Sequence, residues 1–177
     1  MQLIVFTGLP GTGKSTIAEA VARELEIPVF AKDWLEATLR RAELRAGDDK
    51  KNLGYAGYEL LTTLAERQLM LGQSAMLDSV ASFENIREQW RALAKKYNAR
   101  WRVIECVWSD ENAHRAHLAK RQRHIPGWHE LEWSEVERVK KYYAEWNEER
   151  LVLDAANALK DNIAAALEYL TDVTHDQ

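Results

Sequence analysis

A stretch near the start of the chain has the residue types and spacing of a phosphate-binding loop. It fits the pattern G-x-x-x-x-G-K-[ST], and it lies between an apolar, strand-like run at residues 3–6 and a helical pattern that begins near Ser15. The alternative is a glycine-rich turn that only ends a strand, but every fixed position of the motif is filled. The loop comprises Gly8, Leu9, Pro10, Gly11, Thr12, Gly13, Lys14, Ser15 and Thr16.

This loop predicts a site for a nucleoside triphosphate and Mg²⁺. Its glycines let backbone N–H groups turn inward onto an anion, and the N-terminus of the following helix adds partial positive charge. Lys14 can reach the outer phosphates, and the Ser15 hydroxyl can complete a Mg²⁺ shell. No guanine-reading segment of the type N-K-x-D is evident, so we expect the nucleotide to be ATP.

Two aspartates near the ends of short apolar runs are candidates for work at the γ-phosphate. Asp33 follows the run at residues 28–31, and a carboxylate there could orient an attacking hydroxyl or accept its proton. Its alternative is to cap a helix that begins at Trp34. Asp78 ends the run at residues 75–78, where a Walker-B acid would approach Mg²⁺, usually through water. Its alternative is a turn or cap acid.

A basic stretch at residues 114–124 supplies candidate cations. Phosphoryl transfer needs positive charge on the equatorial oxygens of the moving group, and the planar guanidinium of arginine supplies it well. We expect this stretch to close as a lid over the nucleotide, with Arg121 as first candidate and Arg123 and Arg115 behind it. The alternative is a solvated helical face. Two histidines one helical turn apart could also begin a zinc site, but no cysteine supports one.

Short apolar runs alternate with helical patterns along the chain. This alternation predicts an α/β fold with a parallel sheet that helices cover on both faces. The ligands of such a sheet sit at the carboxyl ends of its strands, which adds Ser109, Asp110 and Asp154 to the candidates. The runs lie at residues 2–7, 28–31, 75–78, 101–108 and 151–153.

Length and composition indicate one domain over residues 1–177, with the lid at about residues 111–130. We further expect helices at about residues 111–123 and 134–148 and an exposed loop at residues 46–54. The net charge of −4 argues against an extended nucleic-acid surface but leaves a local basic groove open. A single cysteine rules out an internal disulfide, and no apolar run is long enough for a bilayer. We therefore expect a cytoplasmic protein.

On these motifs the chain resembles small P-loop kinases, in particular AAA-domain ATP-binding proteins similar to chloramphenicol phosphotransferase, zeta-toxin-type kinases and the kinase domain of polynucleotide 5′-kinase. Lys32-Asp33-Trp34-Leu35 matches the strand-end aspartate with which such kinases engage the acceptor hydroxyl. Met76-Leu77-Asp78-Ser79 followed by Arg87 resembles their strand-acid-then-arginine pattern, and Leu118-Ala119-Lys120-Arg121 resembles the end of the lid motif R-L-x-x-R. Position 117 is histidine where the family often has the first lid arginine, so nucleotide clamping would depend on Arg121 and its neighbours. The resemblance implies a three-layer P-loop NTPase fold with a five-stranded parallel sheet in the order 2-3-1-4-5 and a helical lid.

Motifs and resemblance together predict an ATP- and Mg²⁺-dependent phosphotransferase that acts on a hydroxyl of a small molecule. In this assignment the nucleotide is bound by residues 8–16 together with Arg121 and Arg123. The residues expected to hold Mg²⁺ are Ser15 and Asp78, and those expected to act in catalysis are Lys14, Asp33 and Arg121.

Two alternatives stay open at this point. One is a kinase for nucleic-acid 5′ ends, and the other is a non-catalytic, ATP-dependent switch that serves a protein partner. Each of Trp34, Trp128 and Trp133 is a candidate to stack on an acceptor or a base. Neither the identity of the acceptor nor the oligomeric state follows from the sequence.

Overall fold

The computed structural model describes residues 1–42 and 50–172, and within these ranges the strands are separated by one or two helices. None of the helices in these ranges is both long and apolar enough to cross a bilayer. The strands are β1 (Gln2–Thr7), β2 (Val29–Ala31), β3 (Ala75–Asp78), β4 (Arg100–Val107) and β5 (Leu151–Asp154). The helices are α1 (Lys14–Leu25), α2 (Lys32–Arg41), α3 (Lys50–Met70), α4 (Glu84–Lys96), α5 (Glu111–Lys120), α6 (Trp133–Lys140) and α7 (Leu159–Thr171).

The strands of the described residues form one five-stranded parallel sheet in the order β2-β3-β1-β4-β5. This confirms the predicted fold class and strand order. Phe6 near the end of the central strand lies opposite Asp78 on β3 and Ile104 on β4, and Ala31 at the end of β2 also pairs with Asp78. The loop after β1, the start of α2 and the end of β3 therefore meet at one edge of the sheet, where a parallel sheet places its ligands.

Strand β1 is buried on both faces, which explains why it reads as a continuous apolar run. Leu3 and Val5 pack in a cluster with residues of α3 and α4, whereas Ile4 and Phe6 pack in a cluster with residues of α1 and α7. All four side chains are fully buried, and each contributes about 1.5–3 kcal/mol to the free energy of folding. Helices on both faces of the sheet give the predicted three layers.

Three element boundaries differ from the predicted ones by three residues or more. Helix α3 begins at Lys50, so the prediction of a loop is wrong for residues 50–54, while residues 46–49 lie outside the described residues. Helix α5 ends at Lys120 rather than near residue 123, because Arg121 already has extended backbone with φ −71° and ψ 137°. Helix α6 ends at Lys140 rather than near residue 148.

Tertiary hydrogen bonds explain the early end of α6. The backbone N–H of Ala144 donates to the carbonyl of Ser82 at 3.0 Å. The guanidinium of Arg87 donates to the carbonyls of Ala144 and Glu145 at 2.7 and 2.9 Å. These long-range bonds satisfy backbone groups that a longer helix would have used within itself, and local periodicity carries no sign of them.

Candidate functional site

The loop between β1 and α1 has the compact conformation that its glycines permit. Gly8, Gly11 and Gly13 have φ values of 134°, 85° and 81°, which L side chains rarely adopt. A Cβ at Gly8 would lie 2.1 Å from the carbonyl oxygen of Cys106 on β4, so only glycine fits there. Helix α1 begins at Lys14, and the N–H groups of its first turn have no intrahelical partner, which makes them available to an anion.

Two rings from the region after β4 hold carbonyl groups of this loop. The Nε2 atom of His114 lies 2.8 Å from the carbonyl oxygen of Pro10, and the indole Nε1 of Trp108 donates to the carbonyl of Gly11 at 3.2 Å. The two rings stack, with centroids 6.1 Å apart and planes 12° apart. Burial lowers the pKa of His114, so the neutral ring is favoured, with its Nε2–H donating to Pro10. The sequence places His114 in the basic stretch and, with His117, in a conceivable zinc site, but carries no sign of this bracing.

Lys14, Ser15 and Asp78 meet beneath the loop. Lys14 is 6% exposed, and burial lowers its pKa, although the charges of Asp78 and Asp33 act in the opposite direction. Burial raises the pKa of Asp78, while the charge of Lys14 and the hydroxyl of Ser15 oppose this rise. The Oδ1 atom of Asp78 is buried and has no hydrogen-bond partner among the described residues. An unsatisfied carboxylate oxygen close to a serine hydroxyl is a donor set that Mg²⁺ accepts, so these residues fit the ion.

Asp33 lies in the first turn of α2 and forms an ion pair with Arg123. The N-cap residue of α2 is Ala31, so the alternative that Asp33 caps this helix is wrong. Arg123 also donates through Nη2 to the hydroxyl of Ser15 at 3.2 Å. The guanidinium of Arg121, the first candidate among the arginines of this stretch, makes no hydrogen bond or ion pair within the part of the chain that the structure describes, whereas its backbone N–H donates to the carbonyl of Leu118 at 3.2 Å. Burial lowers the pKa of Arg121, and the charge of Arg123 lowers it further.

A cleft of about 550 Å³ borders the loop, and we call it the phosphate-side cleft. Its lining includes loop residues 11 and 13–16, Trp34 and lid residues between 117 and 125. Among the described residues its charged lining consists of one carboxylate, Glu19, and five cations. These cations are Lys14, Arg23, Lys120, Arg121 and Arg123. Such an excess of positive charge, next to unpaired helix N–H groups, suits a polyphosphate.

A second cleft, of about 750 Å³, is lined by Asp33, and we call it the aromatic cleft. Side chains from α2, α3, α6 and the segments around residues 80–83 and 128–131 surround it. Asp33 lines this cleft, whereas its partner Arg123 lines the phosphate-side cleft, so the ion pair joins the two. The aromatic lining consists of Tyr55, Tyr58, Phe83, Trp128 and Tyr142.

Local sequence patterns do not mark most residues of the aromatic cleft as site residues. Lys32, Glu36 and Arg40 form a row on α2 in which Glu36 binds both cations at 2.7 Å. Their spacing of four residues is a recognisable helical signal and could have drawn attention to this face. The aromatic residues come from separate elements, so no local pattern marks them as neighbours.

Several other predicted candidates have structural roles outside the two clefts. Asp110 caps α5 by accepting from two backbone N–H groups at 2.8 and 3.1 Å. Asp154 accepts from the backbone N–H groups of Ser109 and Ala156 at 3.2 and 2.9 Å. Arg87 is fully buried, and its guanidinium bonds to three backbone carbonyls. Arg115 is exposed beside Glu111 and Glu137, so it does not join Arg121 and Arg123.

The candidate tryptophans occupy three different places, and the zinc hypothesis finds no ligand set. Trp34 lines the phosphate-side cleft and Trp128 the aromatic cleft. Trp133 packs edge-on against His114 and donates to Glu137 at 2.9 Å. Within residues 1–42 and 50–172, no group of three histidine, cysteine, aspartate or glutamate side chains could hold a metal ion.

Comparison with known proteins identifies relatives and neighbours of this fold. A sequence profile of the family described as "AAA domain" matches residues 3–146. A UPF0200 protein of Aeropyrum pernix is 36% identical over 132 residues, which cover 68% of this chain and 65% of that protein, slightly less than two thirds of its length.

Solved structures of low sequence identity share the fold. The structure of a sugar kinase from Janibacter sp. HTCC2649 matches with a TM-score of 0.71 and 18% identity, over 96% of this chain and 94% of that one. The structure of Kti12 from Chaetomium thermophilum in complex with ADP-AlF3 matches with a TM-score of 0.68 and 20% identity, over 96% of this chain and 100% of that one. At these sequence identities the comparison shows only that the fold is shared.

Proposed function

Since this chain belongs to the AAA domain family, we propose that it is an ATP- and Mg²⁺-dependent phosphotransferase whose acceptor is a hydroxyl group of a small molecule. The observation that carries the proposal is the position of the Asp33–Arg123 pair between two clefts. One cleft has the phosphate loop and an excess of cations. The other has room for a second molecule beside a carboxylate. A transfer enzyme needs both compartments, with the reacting groups at their junction.

The phosphate-side cleft is assigned to ATP. The N–H groups of residues 8–16 surround the phosphates, and Lys14, Arg121 and Arg123 offset the charge that develops on the moving group. Ser15 and Asp78 would hold Mg²⁺, which would supply further positive charge to the phosphate oxygens. The small-molecule kinase among the structural neighbours supports this assignment at the level of the fold.

Asp33 is assigned to the acceptor. The acceptor oxygen attacks the γ-phosphorus, the bond from that phosphorus to the bridging oxygen of ADP breaks, and the hydroxyl proton passes to Asp33. Arg123 bonds to the Oδ2 atom of Asp33 and orients the carboxylate, leaving Oδ1 for the proton. ADP and the phosphorylated alcohol are the products.

The test is acceptor-stimulated release of ADP from Mg·ATP, measured with pooled metabolites, nucleosides and antibiotics. Lys14→Ala should abolish the stimulated rate. Asp33→Asn should keep ATP binding and lower transfer by about 10²–10⁴-fold, since it removes a general base. Lys95→Ala, an exposed lysine outside both clefts, serves as the control. A wild-type rate in Lys14→Ala, or no stimulation by any pool, would contradict the proposal.

A nucleotide-dependent switch is the second candidate. It is favoured by the bonds that Arg123 makes to Ser15 and to Asp33, since they link the nucleotide loop to α2. In a switch, Asp33→Asn would weaken the ATP-dependent protection of residues 111–130 against proteolysis, because it removes the charge that pairs with Arg123, and no acceptor would be phosphorylated in the wild type or the variant. The two candidates therefore give opposite results for transfer.

A further inference from the structure

The aromatic cleft offers ring faces. Phe83 and Tyr142 stack with centroids 5.3 Å apart and planes 5° apart, yet they stay 44% and 42% exposed. Tyr58 is 5% exposed and meets Phe83 edge-on, at 6.4 Å between centroids. The Nε1 atom of Trp128 is buried and has no hydrogen-bond partner within the described residues. Large rings that packing fixes and that remain partly exposed form a suitable wall for a flat ligand.

Each cation of this cleft already has a carboxylate partner, although Lys32 and Arg40 share one. Among the described residues, each cation that lines it has a carboxylate within 4 Å: Lys32 and Arg40 share Glu36 at 2.7 Å, and Arg138 lies 3.7 Å from Glu135. The side chain of Glu36 is only 8% exposed, so its two partners could not leave it without an uncompensated buried charge. Burial by itself would lower the pKa of Lys32, but the charge of Glu36 holds it above its ordinary value.

The two clefts therefore differ in charge. In the part of the chain that the structure describes, the lining of the phosphate-side cleft has five cations and one carboxylate, whereas that of the aromatic cleft has three of each. An anionic acceptor would have to take Lys32 or Arg40 from Glu36, or the exposed Arg138 from Glu135. A cationic acceptor would have to take a carboxylate from its partner. A neutral molecule disturbs none of these ion pairs.

From this contrast we propose that the acceptor is a neutral alcohol that carries a flat aromatic or heteroaromatic ring. The proposal rests on the phosphotransferase function above and uses the same step, in which the alcohol oxygen bonds to the γ-phosphorus, ADP leaves and Asp33 takes the proton. The ring packs against Phe83, Tyr142 and Trp128. The indole Nε1 of Trp128 supplies a donor for a neutral oxygen of the ligand.

The experiment compares kcat/KM for ADP release with four sets of alcohols. The first set contains uridine and adenosine with two ring-bearing neutral alcohols, chloramphenicol and 4-nitrobenzyl alcohol. The second contains uridine and adenosine 3′-monophosphates and a short 5′-hydroxyl oligonucleotide, the third contains gluconate and glucose, and the fourth contains kanamycin. We expect the best neutral alcohol with an aromatic or heteroaromatic ring to exceed every member of the other sets by at least about tenfold, which corresponds to about 1.4 kcal/mol.

The outcomes separate the two proposals. A preference for an anionic alcohol, a cationic alcohol or one without an aromatic ring would overturn the present inference and leave the phosphotransferase intact. Mg·ATP binding without ADP release in any set would contradict both. A preference for the neutral ring-bearing set supports both.

A charge variant gives a second readout inside the same protein. Glu36→Gln frees Lys32 and Arg40, so the ratio of kcat/KM for uridine 3′-monophosphate to that for uridine should rise by about tenfold. Glu135→Gln, nearer the surface, should raise it less. Glu66→Gln removes an exposed partner of Lys96 outside both clefts and should leave the ratio unchanged. Both kcat/KM values are measured on the same preparation, so an unfolded fraction lowers them equally and does not change their ratio. An unchanged ratio in both cleft variants would overturn the inference.

Discussion

Arg123 and Asp33 form an ion pair across 90 positions of sequence, and the same guanidinium bonds to the hydroxyl of Ser15. The Arg123 side chain is 9% exposed and the Asp33 side chain 26%. One planar group thus ties the segment after α5 to both the loop after β1 and the first turn of α2. Arginine can do this because its donors lie in a rigid fork, which a lysine ammonium lacks.

The first prediction concerns Arg123→Lys, which keeps the charge and loses the fork. We expect kcat of acceptor-dependent ADP release to fall by about 10–100-fold, because Asp33 loses its fixed orientation. The Kd of ATP should change much less. Steady-state kinetics and calorimetry measure the two quantities. Arg115→Lys, on the exposed face of α5, is the matched control, and equal kinetics in the two variants would refute the positioning role.

The second prediction concerns Asp78→Asn, which keeps the shape of the side chain and removes its charge. We expect the Mg²⁺ concentration needed for half-maximal ATP binding to rise by about 10–100-fold, since a carboxylate near the ion is lost. Titration of Mg²⁺ into protein with ATP measures it. Asp154→Asn, also at a strand end but bonded to backbone N–H groups, should behave like the wild type. Unaltered Mg²⁺ dependence in Asp78→Asn would exclude this carboxylate from the metal site.

The third prediction is a pH dependence of stability from His114. Burial lowers the pKa of His114 below 6.5 in the folded chain, so in mild acid the unfolded chain binds the proton more readily. This contribution to stability is full above the unfolded pKa and declines as the pH falls through 6.5 toward the lowered folded value. His114→Gln keeps a donor for Pro10 and cannot titrate, so its free energy of unfolding should decline less between pH 8 and pH 5.5. Urea unfolding at both pH values measures this free energy, and His117→Gln, at an exposed histidine, is the control. Parallel declines in His114→Gln and the wild type would argue against the mechanism.

The fourth prediction separates two glycines of the loop. Gly8→Ala brings its Cβ to 2.1 Å from a backbone carbonyl, and we expect a loss of about 3–5 kcal/mol in the free energy of unfolding. At Gly13 a Cβ would meet no atom within 4 Å, so only the positive φ disfavours alanine. We expect Gly13→Ala to lower the free energy of unfolding by about 1–2 kcal/mol. Urea unfolding of both variants makes the comparison. Equal costs would mean that the loop can move away from β4.

Local sequence patterns account for the main elements of the fold. The β1–loop–α1 unit could be predicted because a motif of fixed spacing, an apolar strand and a helical stripe are contiguous in the chain. The ends of α5 and α6 could not be predicted in this way. The backbone becomes extended at Arg121, and the guanidinium of Arg87 donates to the carbonyls of residues 144 and 145. Periodicity predicts what a segment would do alone, and these two boundaries depend on distant partners.

The amino-acid sequence by itself determined the phosphate loop, the parallel sheet and the aspartates near its strand ends, because each is written in neighbouring residues or in the alternation of strands with helices. Only the tertiary structure decided that Arg123 rather than Arg121 pairs with Asp33, that His114 and Trp108 brace the loop, and that the aromatic cleft has its charges paired. Those features join side chains from elements far apart in the chain. Their distances are set by how the helices pack on the sheet, and no local pattern encodes that packing.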